Sequence, residues 1–218
     1  MNYKQEIVNS IQKISGKYSP YQIFRDWCEM LAIAIQNSCC LFHDDLWKQR
    51  EDLYTSIFSK YEDSEKEKIF SMTAILPLAY EENMTDLLGE IYMESGCGNS
   101  STGQFFTPFH LSEMVARVNQ DEYLKKKVEM FEPSVGGGGM VIAVAKVMKD
   151  SGINYQRNLK VVAQDIDWLS VYMSYIQFSL LGINAIVVQG DSLSQPFIPG
   201  NYEKRRILKT PNAMGTLM

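Results

Sequence analysis

Four consecutive glycines, Gly136 to Gly139, stand between two apolar runs and limit what this chain can fold into. The run before them, Val128 to Phe131, has the length and composition of a short buried strand. The run after them, Met140 to Met148, is Val, Ile, Ala and Met with one lysine, and reads as a helix. A glycine turn from strand to helix lets a ligand approach the backbone, because no Cβ stands in the way. The helix that follows points unpaired N–H groups at the same place.

What comes next repeats the unit. A second strand-like run, Leu159 to Gln164, ends in Asp165, and a long stretch with Leu169, Tyr172, Met173, Ile176 and Leu180 on one helical face closes at Gly182. A third run, Asn184 to Gln189, leads into Gly190-Asp191-Ser192. Strands alternating with helices predict a parallel α/β sheet with right-handed crossovers. Ligands of such sheets sit beyond the carboxyl ends of the strands, where Glu132, Asp165 and Asp191 would gather. A dinucleotide site spaces its glycines Gly-x-Gly-x-x-Gly, with an acid about 20 residues on. Here the glycines are contiguous, Glu132-Pro133 precedes them, and Asp165 lies 29 residues after Gly136. Acids after three successive strands suit S-adenosylmethionine, whose sulfonium and amino groups are cationic, better than a pyrophosphate.

The order of motifs resembles the adenine-N6 DNA methyltransferases that form the modification subunits of type I restriction systems. Gly103-Gln104-Phe105-Phe106-Thr107-Pro108 is similar to their Gly-Gln-Phe-Tyr-Thr-Pro signature, and Asp86-Leu87-Leu88-Gly89-Glu90-Ile91-Tyr92 to their Leu-Gly-(Asp/Glu)-x-Tyr helix. Glu132-Pro133-Ser134-Val135-Gly136-Gly137-Gly138-Gly139 resembles Asp-Pro-Ala-Cys-Gly-Ser-Gly-Gly, with Glu in place of Asp. Gln164-Asp165-Ile166 onward, and then Gly190-Asp191-Ser192-Leu193, match the following blocks. The resemblance covers about residues 85 to 195. It implies S-adenosylmethionine bound by Gln104, Phe105, Phe106, Thr107, Pro108, Glu132, Pro133, Ser134, Gly136, Gly138, Asp165, Ile166, Asp191 and Ser192. It also implies DNA as substrate, recognised through a separate specificity subunit. Physically, Thr107 suits an N-cap and Pro108 the first position of a helix with Leu111, Met114, Val115 and Val118 on one face. Phe105 and Phe106 are placed to pack against the adenosine or to wall its pocket.

Members of that family carry Asn-Pro-Pro-(Tyr/Phe) after the fourth strand, where the amide and a proline carbonyl accept from the target amino group and the ring stacks on the flipped base. This sequence contains no Asn-Pro-Pro. The nearest candidate is Thr210-Pro211-Asn212, after the apolar run that begins at Ile207, with few residues beyond it. The expectation is therefore an incomplete methyltransferase sheet, with cofactor binding better supported than autonomous catalysis. The rival reading is a non-catalytic cofactor-binding or interaction protein that modulates a restriction system. A dinucleotide oxidoreductase fits poorly, since no catalytic pair accompanies the glycines.

Among 218 residues, 45% are hydrophobic, enough for a sizeable core, and no apolar run spans a membrane. No secretion-type apolar segment follows Met1 to Glu6, so a cytoplasmic location is expected. Cys28, Cys39, Cys40 and Cys97 lack Cys-x-x-Cys spacing, which favours reduced thiols over a zinc site. A net charge of −5 argues against strong stand-alone DNA binding. The basic clusters Lys125-Lys126-Lys127 and Lys204-Arg205-Arg206 are small and read as solvated faces.

The first hundred residues read as helices. Ser19-Pro20-Tyr21-Gln22 opens one, Asp44 or Asp45 a second, Ser64 a third that ends or breaks near Pro77, and Thr85 a fourth that runs to about Glu94. The linker Gly96 to Gly103 then separates a helical domain, residues 1–95, from a truncated, doubly wound (Rossmann-like) class I methyltransferase domain, residues 96–218.

Overall fold

The computed structural model describes residues 2–97, 106–124 and 127–214, in two compact units. The first comprises Met1–Asn83 with Leu87–Phe106, and the second Met84–Asp86 with Thr107–Met218. The division thus falls beyond the expected linker, and Met84–Asp86, which include the start of the fourth predicted helix, belong to the second unit.

The first unit is helical: α1 (Tyr3–Ile14), α2 (Pro20–Ser38), α3 (Asp45–Phe58), α4 (Asp63–Glu82) and α5 (Leu87–Glu94). Ser19 caps α2 by accepting from Gln22 N, and Asp44 caps α3 by accepting from Trp47 N. Glu62 and Glu65 form a capping box at the start of α4. Pro77 does not end that helix. It sits on the exposed side, while Met72, Ile75, Leu76, Ala79 and Tyr80 keep one buried stripe across it, so tertiary packing offsets the lost backbone hydrogen bond. Phe24, Trp27 and Tyr92 pack edge-on in the core, with ring centroids 5.7–6.0 Å apart around Phe24. Burial holds the Cys97 thiol up to about 12 and the Cys28 thiol well above its ordinary value, so both stay protonated.

The second unit follows the predicted alternation. After α6 (Phe109–Val118) and the single turn α7 (Gln120–Tyr123) come β1 (Val128–Glu132), α8 (Gly139–Asp150), the single turn α9 (Tyr155–Asn158), β2 (Leu159–Asp165), α10 (Trp168–Leu181) and β3 (Asn184–Gln189). β1, β2 and β3 are parallel neighbours in that order. Both crossovers step the same way along the sheet, so right-handed connections bring α8 and α10 to one face, over Leu159, Val161, Ala163, Ala185 and Val187. α10 is buried nearly all round and closes on Gly182 at φ +69°.

The opposite face carries Phe131, Val162 and Ile186 around a cavity of about 500 Å3, which Phe197 and Pro199 roof at one side. That roof is anchored by the buried Gln164 amide, which donates to Gln195 O and Tyr202 Oη and accepts from Phe197 N. Near the end of the described residues β4 (Ile207–Lys209) pairs antiparallel with the outer edge of β3, and a single 3-10 turn, Pro211–Ala213, follows it. The architecture is thus a helical N-terminal part followed by α/β with a small mixed sheet, a partial Rossmann-like core. No helix among the described residues is long and apolar enough to cross a membrane.

Candidate functional site: the glycine turn and the acids at the sheet edge

The four glycines turn the chain sharply from β1 into α8. Gly136 has φ +54° and Gly138 φ +103°, values that L side chains rarely adopt. The other constraint is space. A Cβ on Gly137 would fall 2.7 Å from the Asp86 carboxylate, and one on Gly138 2.7 Å from the Phe178 ring. The turn also hangs from its neighbours: Val135 N donates to Gln164 O at 3.0 Å, Gly136 N to Asp165 Oδ2 at 2.9 Å, and Gly138 N to Val135 O at 2.8 Å.

The three acids stand where the alternation places them, at the carboxyl ends of their strands. Glu132 ends β1 and accepts from Ser134 N at 3.2 Å. Asp165 ends β2; besides Gly136 N it accepts from Asp167 N at 3.0 Å, and its own carbonyl takes Gly190 N at 2.8 Å. Asp191 follows β3 and is closed into a local turn by the backbone N–H groups of Leu193 and Ser194 and by the Ser194 hydroxyl. Burial raises the Glu132 carboxyl above its ordinary range, the Ser134 N–H partly counters this, and the neighbouring Asp165 charge adds to the rise. Asp165 is raised for the same leading reason, against the pull of the Asp167 and Gly136 N–H groups. Asp191 goes the other way, lowered by the Ser194 hydroxyl and the two backbone donors.

Two carboxyls held up chiefly by burial, beside a turn that admits no side chain, make a place suited to a cationic group. Ile166, directly after Asp165, adds an apolar side chain that is two-thirds exposed (67%). Its carbonyl is fixed by Gln189 Nε2 at 2.8 Å. Pro133 follows Glu132 into the turn, and Ser192 follows Asp191.

Residues 83–210, more than half of the chain, match the family described as N-6 DNA methylase. The chain belongs to the N-6 DNA methylase family. S-adenosylmethionine is the cofactor that this membership implies, and the acidic, glycine-lined edge fits it. The fold is also similar to that of a solved structure from Listeria monocytogenes described as a class I S-adenosylmethionine-dependent methyltransferase. Identity is 14%, the TM-score is 0.53, and the match covers 88% of this chain and 54% of that one. The chain therefore spans about half the length of that neighbour. No curated protein matches it.

Elsewhere in the chain the expected site residues disperse. Thr210, Pro211 and Asn212 lie at the amino end of β3, the opposite edge from the acids. Because β4 runs antiparallel to β3, its end delivers them there. Thr210 Oγ1 accepts from Ala185 N at 3.0 Å and donates to Ile183 O at 2.8 Å, and Asn212 Nδ2 donates to Gln156 O and Gly182 O. Gln104 and Phe105 fall outside the described residues. Phe106 belongs to the first unit, with its ring 5.1 Å from that of Tyr92.

Thr107 makes no cap. Pro108 holds the N-cap position of α6, and the stripe Leu111, Met114, Val115 and Val118 is exposed rather than packed. α6 instead buries Ser112 and Ala116, whose small side chains permit close approach to α8. Two residues outside the expected cofactor-binding set stand at the turn: Asp86 and Gln177. The signal for Gln177 was available, since it is the lone amide in a helix with no charged residue, Trp168–Leu181.

Proposed function

We propose that this chain is the cofactor-binding part of a DNA adenine-N6 methyltransferase of the type I modification class. It works with partner subunits in a restriction-modification system, in the cytoplasm. The observation that carries the reading is the pair Glu132 and Asp165, acids at the carboxyl ends of neighbouring parallel strands whose side chains accept backbone N–H groups, at a turn of positive-φ glycines. When bound, S-adenosylmethionine supplies a methyl group on a cationic sulfur.

The chain's own residues bind and orient. Asp165 and Glu132 offer carboxylate lone pairs to ribose hydroxyls and to the cofactor's amino group. Ile166 packs on a flat ring, Asp191 receives an exocyclic amine, and Gly136 and Gly138 allow the ligand against the backbone. Substrate orientation, the largest demand of an in-line methyl transfer, requires groups that grip a flipped adenine. Among the described residues, the acid edge brings no Asn-Pro-Pro segment to that task.

A second reading, a non-catalytic member that binds cofactor and modulates a restriction system, is favoured by one feature. Thr210, Pro211 and Asn212 are spent on holding β4 at the far edge. Labelled-methyl incorporation into unmethylated duplex DNA, with and without candidate specificity and modification partners, tests the proposal. We expect incorporation only with partners. Incorporation by the purified chain alone at about 1 per second or faster would contradict it, and none with any partner would favour the second reading.

A further inference from the structure

We infer that Asp86 and Gln177 are positioning residues: the Gln177 amide, charged up by the buried Asp86 carboxylate, holds the glycine turn in its ligand-accepting shape. The inference deepens the cofactor reading above and rests on it only for the ligand's identity.

Gln177 has no exposed surface and Asp86 almost none. The Gln177 Nε2 group donates to the Gly137 carbonyl and, at 2.7 Å, to Asp86 Oδ1. One NH2 thus spends its two hydrogens on the turn and on the acid. A buried amide is costly unless each donor finds an acceptor, so the three groups fix one another in a single arrangement. An acceptor that is a carboxylate polarises the NH2 and strengthens the second bond, the one to Gly137. The Asp86 carboxylate also fills the space where a Gly137 or Gly139 side chain would stand, with oxygens 2.7 and 3.2 Å from the respective Cβ positions. Its charge lies against the first residues of α8, where the helix dipole favours an anion. The turn is therefore held from two sides: Asp165 takes the N–H of Gly136, and Gln177 gives to the C=O of Gly137. The Asp165 side faces the proposed ligand. The Gln177 side belongs to the interior, and a role there is to keep the turn ready before any ligand arrives.

Amide hydrogen exchange on the full chain without cofactor is the direct test, because it needs no ligand. In Gln177→Met, which keeps the side-chain length and removes the donors, exchange at Gly136 and Gly138 should rise by about tenfold or more, with Val161 and Ala163 of β2 unchanged. Asp86→Ala, which leaves α10 untouched, should give the same local pattern. The double variant should be no worse than the more affected single one, as coupled neighbours require. Unchanged exchange at the turn would overturn the inference. So would equal acceleration across β2 and β3, or failure of both single variants to fold, since each of these marks a purely structural role. Calorimetry with S-adenosylmethionine is the second arm, with affinity in Gln177→Met expected to fall by about tenfold. Wild-type protein that shows the protected turn but no cofactor binding would sink the cofactor reading and leave the clamp standing.

Discussion

Two prolines flanked by polar residues sit at opposite ends of one small sheet, and they have opposite fates. Glu132-Pro133-Ser134 leaves β1 at its carboxyl end, and Thr210-Pro211-Asn212 leaves β4 beside the amino end of β3. At the first, the acid is only partly engaged, its carboxyl is held up by burial, and the adjoining glycines keep the backbone open. At the second, the hydroxyl is fully buried and both it and the amide are spent on backbone groups. A strand followed by a proline and polar side chains therefore has two possible meanings in a sequence. Which one holds depends on the strand's direction, since direction decides whether the segment arrives at the ligand-binding edge or the closing edge.

The largest expected effect breaks the open end. Gly138→Val puts a branched side chain at φ +103° and into the Phe178 ring, for a cost of about 3 kcal/mol in the second unit and complete loss of cofactor binding. Circular dichroism at the helical wavelengths and calorimetric titration should show a retained helical signal without binding. Wild-type thermal stabilisation by the cofactor in this variant would mean that the turn does not meet the ligand.

Next comes Asp165→Ala, which removes the acceptor for Gly136 N and Asp167 N. It should weaken S-adenosylmethionine binding by about 1–3 kcal/mol. Undiminished affinity would remove Asp165 from the site. Thr210→Val makes the reciprocal test at the closing end. It leaves Ala185 N without its hydroxyl acceptor and should cost about 1–2 kcal/mol of stability, read by urea unfolding, with cofactor affinity unchanged. A variant that folds well but loses cofactor would erase the contrast between the two ends.

The smallest effect is in pH. Burial raises the Glu132 and Asp165 carboxyls above their unfolded values, so the fold binds their protons more tightly than the unfolded chain does. Their contribution to stability is accordingly best at low pH and declines as pH climbs through the raised carboxyl range. A cationic ligand prefers the ionised forms, so its affinity should rise across that same interval, by up to about tenfold. Glu132→Gln should flatten this profile. A wild-type affinity that falls with rising pH would contradict the assignment of carboxylates to a cation.

Much of this was legible in the sequence where local pattern and tertiary need agree. β1, β2 and β3, the glycine turn, and the Ser19 and Asp44 caps follow from period and capping chemistry alone. What escaped depended on partners distant in the chain. The Leu111, Met114, Val115 and Val118 stripe of α6 has a good helical period, yet small Ser112 and Ala116 are what face α8, because close helix approach selects size over hydrophobicity. Pro77 looked like a stop and is not one, since the stripe it interrupts is buried on both sides. β4 was visible as an apolar run, but nothing in Ile207-Leu208-Lys209 encodes direction, and direction decides the fate of Thr210-Pro211-Asn212. Asp86 and Gln177 are 91 residues apart, and only the fold pairs them.

The contrast between the two ends stands or falls on whether the acid edge takes the cofactor at all. Calorimetric titration of S-adenosylmethionine into the purified chain, without DNA or partners, measures this directly. The expected result is saturable binding at one site with a dissociation constant on the order of micromolar. Absence of binding at millimolar cofactor, in protein with intact helical and sheet signals, would contradict it.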